Sequence, residues 1–105
     1  MALRLPGSLS PPPTTPETVF DALGYEIMAE KAASLARAGD KAALAIARLH
    51  ACEKESPERP AVLKDAAAAV HAWFIQRELC GLRRHQDVIR ELRIPQEVLV
   101  RLGAS

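Results

Sequence analysis

Three short stretches of the sequence carry side chains suited to acid–base or metal chemistry. The stretches are Tyr25–Glu30, Gln76–Arg83 and Arg84–His85. Glu26 and Glu30 are one helical turn apart, so they lie on one face of a helix and can share a basic partner. Two carboxylates and an imidazole are suitable ligands for a divalent metal. One interpretation of Glu26, Glu30 and His85, with Tyr25 beside them, is therefore a metal-binding or acid–base site.

A structural network of ion pairs is the second interpretation of these residues. A di-iron helical bundle places a Glu-x-x-His pair on each of two helices, and this sequence contains no such pair. Arginine is a favoured partner for buried carboxylates because its planar fork meets them bidentately. We therefore favour a partly buried network that fixes helix order, and we name no catalytic or metal-binding residue. The predicted network comprises Tyr25, Glu26, Glu30, Arg77, Glu78, Arg83, Arg84 and His85.

The overall composition indicates an α-helical protein and argues against several functions. Of the 105 residues, 19 are Ala and 13 are Leu, both strong helix formers. Lys and Arg number 14 and Asp and Glu 13, which leaves no basic excess for sequence-independent nucleic-acid binding. The sequence has neither the glycine spacing of a phosphate-binding loop nor the Cys and His spacing of a zinc site. We expect an interaction module rather than an enzyme, and no cofactor.

The first helix is predicted to begin at Pro16, with Thr15 as its cap. Before it, the proline-rich residues 1–15 have little to bury and are predicted to form a disordered tail, so that residues 16–105 make one helical domain. Gly39 could end this helix or bend it. Apolar residues on both sides of Gly39 share one broad helical face, which favours one long helix, straight or kinked, over two helices.

A helical hairpin follows from the clearest break in the chain, Ser56–Pro60, whose two prolines forbid helix. A second helix is predicted from Pro60 to Leu79, with Gly81 just past its end. The short connection makes the two helices antiparallel neighbours. Two short helices are predicted to follow, over residues 84–92 and 95–102. The predicted fold class is therefore all-α: an antiparallel hairpin of one long and one medium helix, with two short C-terminal helices.

The predicted hairpin also brings the polar stretches together. Folding the chain back at Pro57 places Glu30 beside His85 and Glu26 near Ile89. The ion-pair network and the metal-site interpretation both depend on this register. Trp73 lies beside the core face of the second helix, where it is either a subunit contact or an ordinary half-buried residue.

The predicted apolar surface is larger than the hairpin can cover. The long helix would measure about 60 Å and its partner about 30 Å, at about 1.5 Å per residue. The C-terminal helices add apolar residues that must fold back on the hairpin or on another subunit. We therefore predict a homodimer that acts as a structural or protein-interaction module. The C-terminal apolar residues are Val88, Ile89, Leu92, Ile94, Val98, Leu99 and Leu102.

A dimeric DNA-binding regulator is the alternative function. The apolar spacing over residues 86–102 matches that of a degenerate helix-turn-helix unit. The turn, however, holds Arg93 where glycine is usual. The second helix would present only Gln96, Glu97 and Arg101 to DNA. We therefore expect a protein partner, the chain itself, rather than nucleic acid.

The sequence indicates a cytoplasmic protein without a membrane segment. The opening residues 1–7 contain no apolar run of the length that a secretory signal needs. No stretch approaches the length of about 18 apolar residues that indicates a membrane span.

Three strings of the sequence carry a resemblance to a known family. They are Tyr25–Glu30, Gln76–Arg83 and Ile94–Gly103. Together they resemble a family of small uncharacterised bacterial proteins, a domain of unknown function, over about residues 17–103. The resemblance implies a bacterial, cytoplasmic, helical protein. It implies no activity, ligand or catalytic residue.

Overall fold

The structure is a computed structural model that describes residues 16–103. Within this range the chain forms four α-helices and no strand. In chain order the helices are α1 (Pro16–Ala51), α2 (Arg59–Leu79), α3 (Gln86–Leu92) and α4 (Gln96–Leu99). The predicted all-α fold is confirmed, with one long helix, one medium helix and two short C-terminal helices. The predicted tail, residues 1–15, lies outside the described residues, as does the predicted cap Thr15.

The chain divides into two compact units, residues 1–30 and residues 31–105. The described part of the first unit is the start of α1, where every residue over 18–30 except Gly24 is exposed. The second unit contains the rest of α1 and the helices α2, α3 and α4, and its buried residues form one hydrophobic core. The predicted single domain over residues 16–105 stays a prediction.

Within the second unit, α1 continues through Gly39, which confirms the prediction of one long helix. A Cβ atom at this position would lie 3.1 Å from Nε1 of the Trp73 indole and 3.4 Å from Cε2. Protein interiors are packed to near-crystalline density, so a side chain at Gly39 would compete with the indole ring for the same space. Gly39, which by its residue type could have ended the helix, therefore lies in mid-helix, where it leaves room for the Trp73 indole.

The core forms where α1, α2 and the C-terminal segment meet. Its largest fully buried side chains are Ile46, Leu49, Val70 and Val98. Full burial of one such side chain stabilises the fold by about 1.5–3 kcal/mol. The α2 residue Trp73 is also buried, so it belongs to the core of its own chain. The complete set is Ala42, Ile46, Leu49, Leu63, Ala66, Ala67, Val70, Trp73, Phe74, Ile94 and Val98.

Both ends of α2 are set by local sequence signals. At its start, the Ser56 hydroxyl accepts a hydrogen bond from the Glu58 backbone N–H at 3.2 Å, and Pro60 occupies the first turn. At its end, Gly81 adopts a φ of +90°, a conformation that glycine tolerates at little cost. The Leu82 N–H then donates to the Arg77 carbonyl at 2.8 Å. This closure turns the chain back along the last turns of α2.

The C-terminal segment folds back on the core of its own unit. Ile94 and Val98 are buried, and α4 packs against α2. Both helices are shorter than predicted, because residues 84–85 form an irregular connection and residues 100–102 form turns where helix was expected. Five further apolar side chains are partly buried against the core: Val88, Ile89, Leu92, Leu99 and Leu102. The sequence predicts that these C-terminal apolar residues pack either on the hairpin or on another subunit. In the structure they pack on the core of their own unit.

We predict that Gly39→Val destabilises the second unit. Helix propensity alone favours Val over Gly by about 0.3–0.5 kcal/mol. The branched side chain would, however, overlap the Trp73 indole ring. We therefore expect the free energy of unfolding, measured by chemical denaturation, to fall by about 1–3 kcal/mol.

Ala47→Val is the matched control, because Ala47 lies on the same helix and is exposed. Its cost should stay near the propensity difference of about 0.6 kcal/mol. A Gly39→Val protein as stable as the parent would contradict the packing of Trp73 against α1.

A second prediction concerns Arg93, which closes α3 in the left-handed conformation, with φ 54° and ψ 50°. Arg93→Gly should raise the free energy of unfolding by about 0.5–1 kcal/mol, because glycine avoids the Cβ clash of this conformation. Arg90→Gly, in the right-handed body of α3, should instead lower it by about 1 kcal/mol. Thermal denaturation of the two variants checks these opposite signs, and a loss in both would rule out the strained cap.

Candidate functional site

The candidate site lies at the C-terminal end of α2, where the chain reverses direction. The turn at Gly81 carries the chain back beside the helix it has just left. Arg77, on the last turns of α2, donates from Nη2 to the Arg84 carbonyl at 2.9 Å. His85 follows and ends the connection before α3. Four of the predicted network residues, Arg77, Glu78, Arg84 and His85, therefore meet within one stretch of chain.

The His85 imidazole is held through both of its ring nitrogens. Arg77 Nε donates to Nδ1 at 3.1 Å. Because Arg77 Nε–H can only donate, Nδ1 is the acceptor and the ring hydrogen lies on Nε2. That hydrogen points toward Oε2 of Glu78 at 3.0 Å. The neighbours of His85 on α2 thus select its tautomer as well as its position.

Aromatic contacts fix the plane of the same ring. The imidazole stacks on the Phe74 ring with centroids 4.0 Å apart and planes 7° from parallel. Phe74 in turn packs against Trp73 at 5.9 Å between ring centroids. The Arg77 guanidinium carbon lies 5.6 Å from the Trp73 ring centroid, within the range of a cation–π contact. His85 is left with 13% of its side chain exposed.

This geometry suits a structural role better than acid–base or metal chemistry. A metal ligand or general base needs a nitrogen lone pair that faces a ligand or substrate. The single lone pair of the His85 ring is already used by Arg77. Within residues 16–103, no group of three or more His, Cys, Asp or Glu side chains could hold a metal ion.

The remaining predicted network residues lie elsewhere. Arg83 borders a shallow pocket next to Phe74 and His85. Tyr25, Glu26 and Glu30 belong to the first unit, where all three are exposed. Their predicted pairing with the arginines and His85 stays a prediction.

Sequence reasoning missed a second polar contact, between the start of α2 and α4. Arg59 forms an ion pair with Glu97 through Nη2 and donates from Nη1 to the Cys52 carbonyl at 3.2 Å. The Arg59 side chain is only 15% exposed, so this pair is partly shielded from water. Glu97 is 38 residues away in sequence, and no periodic pattern links positions so far apart.

The outer face of α2 carries two shallow apolar grooves, of about 590 and 630 Å³. Three residues line both grooves and define this α2 outer face: Ala68, Ala72 and Ile75. Lys64 and Arg101 border the first groove. The second is bordered by charged residues of α1 and α2, Lys41 and Asp65. Small side chains between charged borders leave room for a large apolar side chain from outside.

The C-terminal helices have the turn of a helix-turn-helix unit but not its recognition helix. Arg93 takes the left-handed conformation that glycine usually supplies at such a turn. α4, however, spans only Gln96–Leu99, and a recognition helix must be long enough to reach along the major groove. Glu97, one of the three side chains predicted to face DNA, is paired with Arg59 instead.

Comparison with known proteins identifies the family. Residues 12–105 match the family of unknown function DUF6665. The chain belongs to this family. No curated protein and no solved structure matches it. The resemblance to a family of unknown function is confirmed, whereas the bacterial origin that it implied stays a prediction.

Over residues 16–103, no helix of this DUF6665 protein combines the length and the apolar character that crossing a bilayer requires. The cytoplasmic location expected from the sequence stays a prediction.

We predict that His85 stabilises this DUF6665 protein through both its ring stacking and its hydrogen bonds. His85→Ala removes both, and the free energy of unfolding should fall by about 2 kcal/mol. His85→Phe keeps a ring to stack on Phe74 but leaves Arg77 Nε without its acceptor, so the loss should be about 1 kcal/mol. Chemical denaturation of the two variants gives the comparison.

The control for this prediction is His50→Ala. The exposed His50 makes one hydrogen bond, from Nε2 to the Arg93 carbonyl at 2.9 Å, so its loss should cost less than about 1 kcal/mol. Equal losses in His50→Ala and His85→Ala would show that the stacked cluster adds nothing to an ordinary surface contact.

Proposed function

We propose that this DUF6665 protein is a helical protein-interaction module whose functional form is a homodimer. The observation that carries the proposal is the exposed apolar side of α1 in the first unit. Val19, Phe20, Leu23 and Ile27 form this apolar stripe. The exposed fraction of these side chains runs from 41% for Val19 to 71% for Phe20. Contiguous apolar surface of this kind marks an interaction site.

The helical phase of the stripe supports a binding role. At about 100° per residue, Val19, Phe20, Leu23 and Ile27 fall within about a third of the helix circumference. Singly scattered apolar side chains need no explanation, but an aligned set does. Phe20 offers the large aromatic contact area that dominates many interface energies. A second copy of the chain is the economical partner, because two-fold homodimers are the commonest soluble assemblies.

The two alternative functions have less support. A metal or acid–base site would use His85, whose lone pair is engaged by Arg77 and whose Nε2 faces Glu78. A DNA-binding regulator would use α4, which is a single helical turn. The apolar stripe on α1, by contrast, is exposed, and binding through it requires neither His85 nor α4.

If the apolar stripe forms the dimer interface, a charge introduced into it should weaken dimerisation strongly. The parent protein should behave as a dimer at micromolar concentrations in size-exclusion chromatography with light scattering. Leu23→Glu would place a carboxylate in the apolar interface. We therefore expect the dimer dissociation constant to rise by about a hundredfold or more.

Leu44→Glu is the matched control, because Leu44 is also an exposed leucine of α1 but belongs to the second unit. It should remain a dimer, and circular dichroism should show both variants to be as helical as the parent. A parent protein that is monomeric throughout the micromolar range would refute the proposal.

A further inference from the structure

The charge of the apolar stripe's own segment disfavours pairing of two stripes. Between residues 16 and 30 the charged residues are all acidic: Glu17, Asp21, Glu26 and Glu30. By helical phase, Glu26 lies about 20° outside Val19, at the edge of the stripe, whereas Glu30 falls within the arc of the stripe, one turn beyond Ile27. Two such segments lying side by side would bring like charges together at the interface, which costs binding energy and slows association.

The second unit carries the opposite charge. Every Lys and Arg of the chain except Arg4 lies within residues 31–105, whereas four of the 13 acidic residues lie within residues 1–30. On this unit, the α2 outer face combines an apolar centre with a mainly basic border. Lys64 and Arg101 line one groove, and Lys41 lines the other with a single acid, Asp65. The face therefore complements an apolar helix that carries carboxylates.

We propose that, in the homodimer, residues 18–30 of one copy dock on the α2 outer face of the other copy. The apolar stripe fills the two grooves, and Glu26 and Glu30 face the basic border formed by Lys64 and Arg101. This inference rests on the proposed self-association and adds the surface on which it occurs. A reciprocal exchange of the segments satisfies both copies equally.

The dimensions and side-chain sizes of the two surfaces agree. Residues 18–30 rise about 20 Å along a helix, and α2 rises about 22 Å from Lys64 to Leu79. Ala68 and Ala72 leave shallow space at the centre of the face, and the stripe supplies large side chains, among them Phe20. Exposed Ile75 and Leu79 extend the apolar area toward the end of α2.

A complementation experiment with two charge-reversed variants tests the docking. The acidic-segment variant is Glu26→Lys/Glu30→Lys, and the basic-border variant is Lys64→Glu/Arg101→Glu. All four side chains are exposed, so circular dichroism should show parent-like helix content for both. At low ionic strength, each variant alone should dimerise at least about tenfold more weakly than the parent, because like charges then meet at both contacts.

Mixing the two variants should restore a dimer of near-parental affinity. In the mixed dimer, the lysines of one copy's segment meet the glutamates of the other copy's face, and the reverse contact keeps its natural charges. Lys54→Glu/Arg90→Glu reverses two exposed charges away from the α2 outer face and should leave dimerisation unchanged. Sedimentation velocity of the separate and mixed proteins measures these outcomes.

The outcomes separate this inference from the proposed function. If the basic-border variant dimerises like the parent while Leu23→Glu does not, the docking on α2 is refuted and the homodimer stands, with the stripes paired to each other. If mixing the two variants fails to restore affinity, the docking is again refuted. A parent protein that never dimerises refutes both proposals.

Discussion

The packing of α2 against α1 around Trp73 is the contact on which the rest of the second unit depends. The indole has its place because α1 carries no side chain at Gly39. The same ring packs against Phe74 and lies under the Arg77 guanidinium. Phe74 then supports the His85 imidazole. Three successive contacts therefore link Gly39, in the middle of α1, to His85, in the segment that leads into α3.

At the end of α2, side chains that could act in acid–base catalysis have a structural role instead. Histidine beside arginine and glutamate is also a typical arrangement in catalytic sites, where a nitrogen must remain free to act. In this protein the imidazole instead stacks on Phe74 and is held by hydrogen bonds to Arg77 and Glu78. Each contact shields the ring further from water, which favours rigidity over reactivity. The surfaces that remain available for binding are the exposed apolar ones, on α1 and on the α2 outer face.

The sequence predicts most of the local members of the candidate site but not its distant contacts. Arg77, Glu78, Arg84 and His85 lie within nine positions of each other, so a helix end followed by a tight turn must bring them together. Arg59 and Glu97 have no such relation, because their pairing depends on how α4 settles on α2. The stacking of His85 on Phe74 could not be predicted from the sequence either, because the helical pattern indicates only that Phe74 is a core residue.

The amino-acid sequence by itself determined the helical class, the break at Ser56–Pro60, the stop at Gly81 and the apolar faces that form the core. These features follow from local rules, since propensity, proline geometry and helical periodicity act over a few residues. The apolar phase on both sides of Gly39 already favoured one continuous helix, whereas tertiary structure alone decided that the Trp73 indole lies against Gly39 and that α4 ends after one turn. Both outcomes depend on which atoms of distant segments meet, and packing density, not local preference, governs that choice.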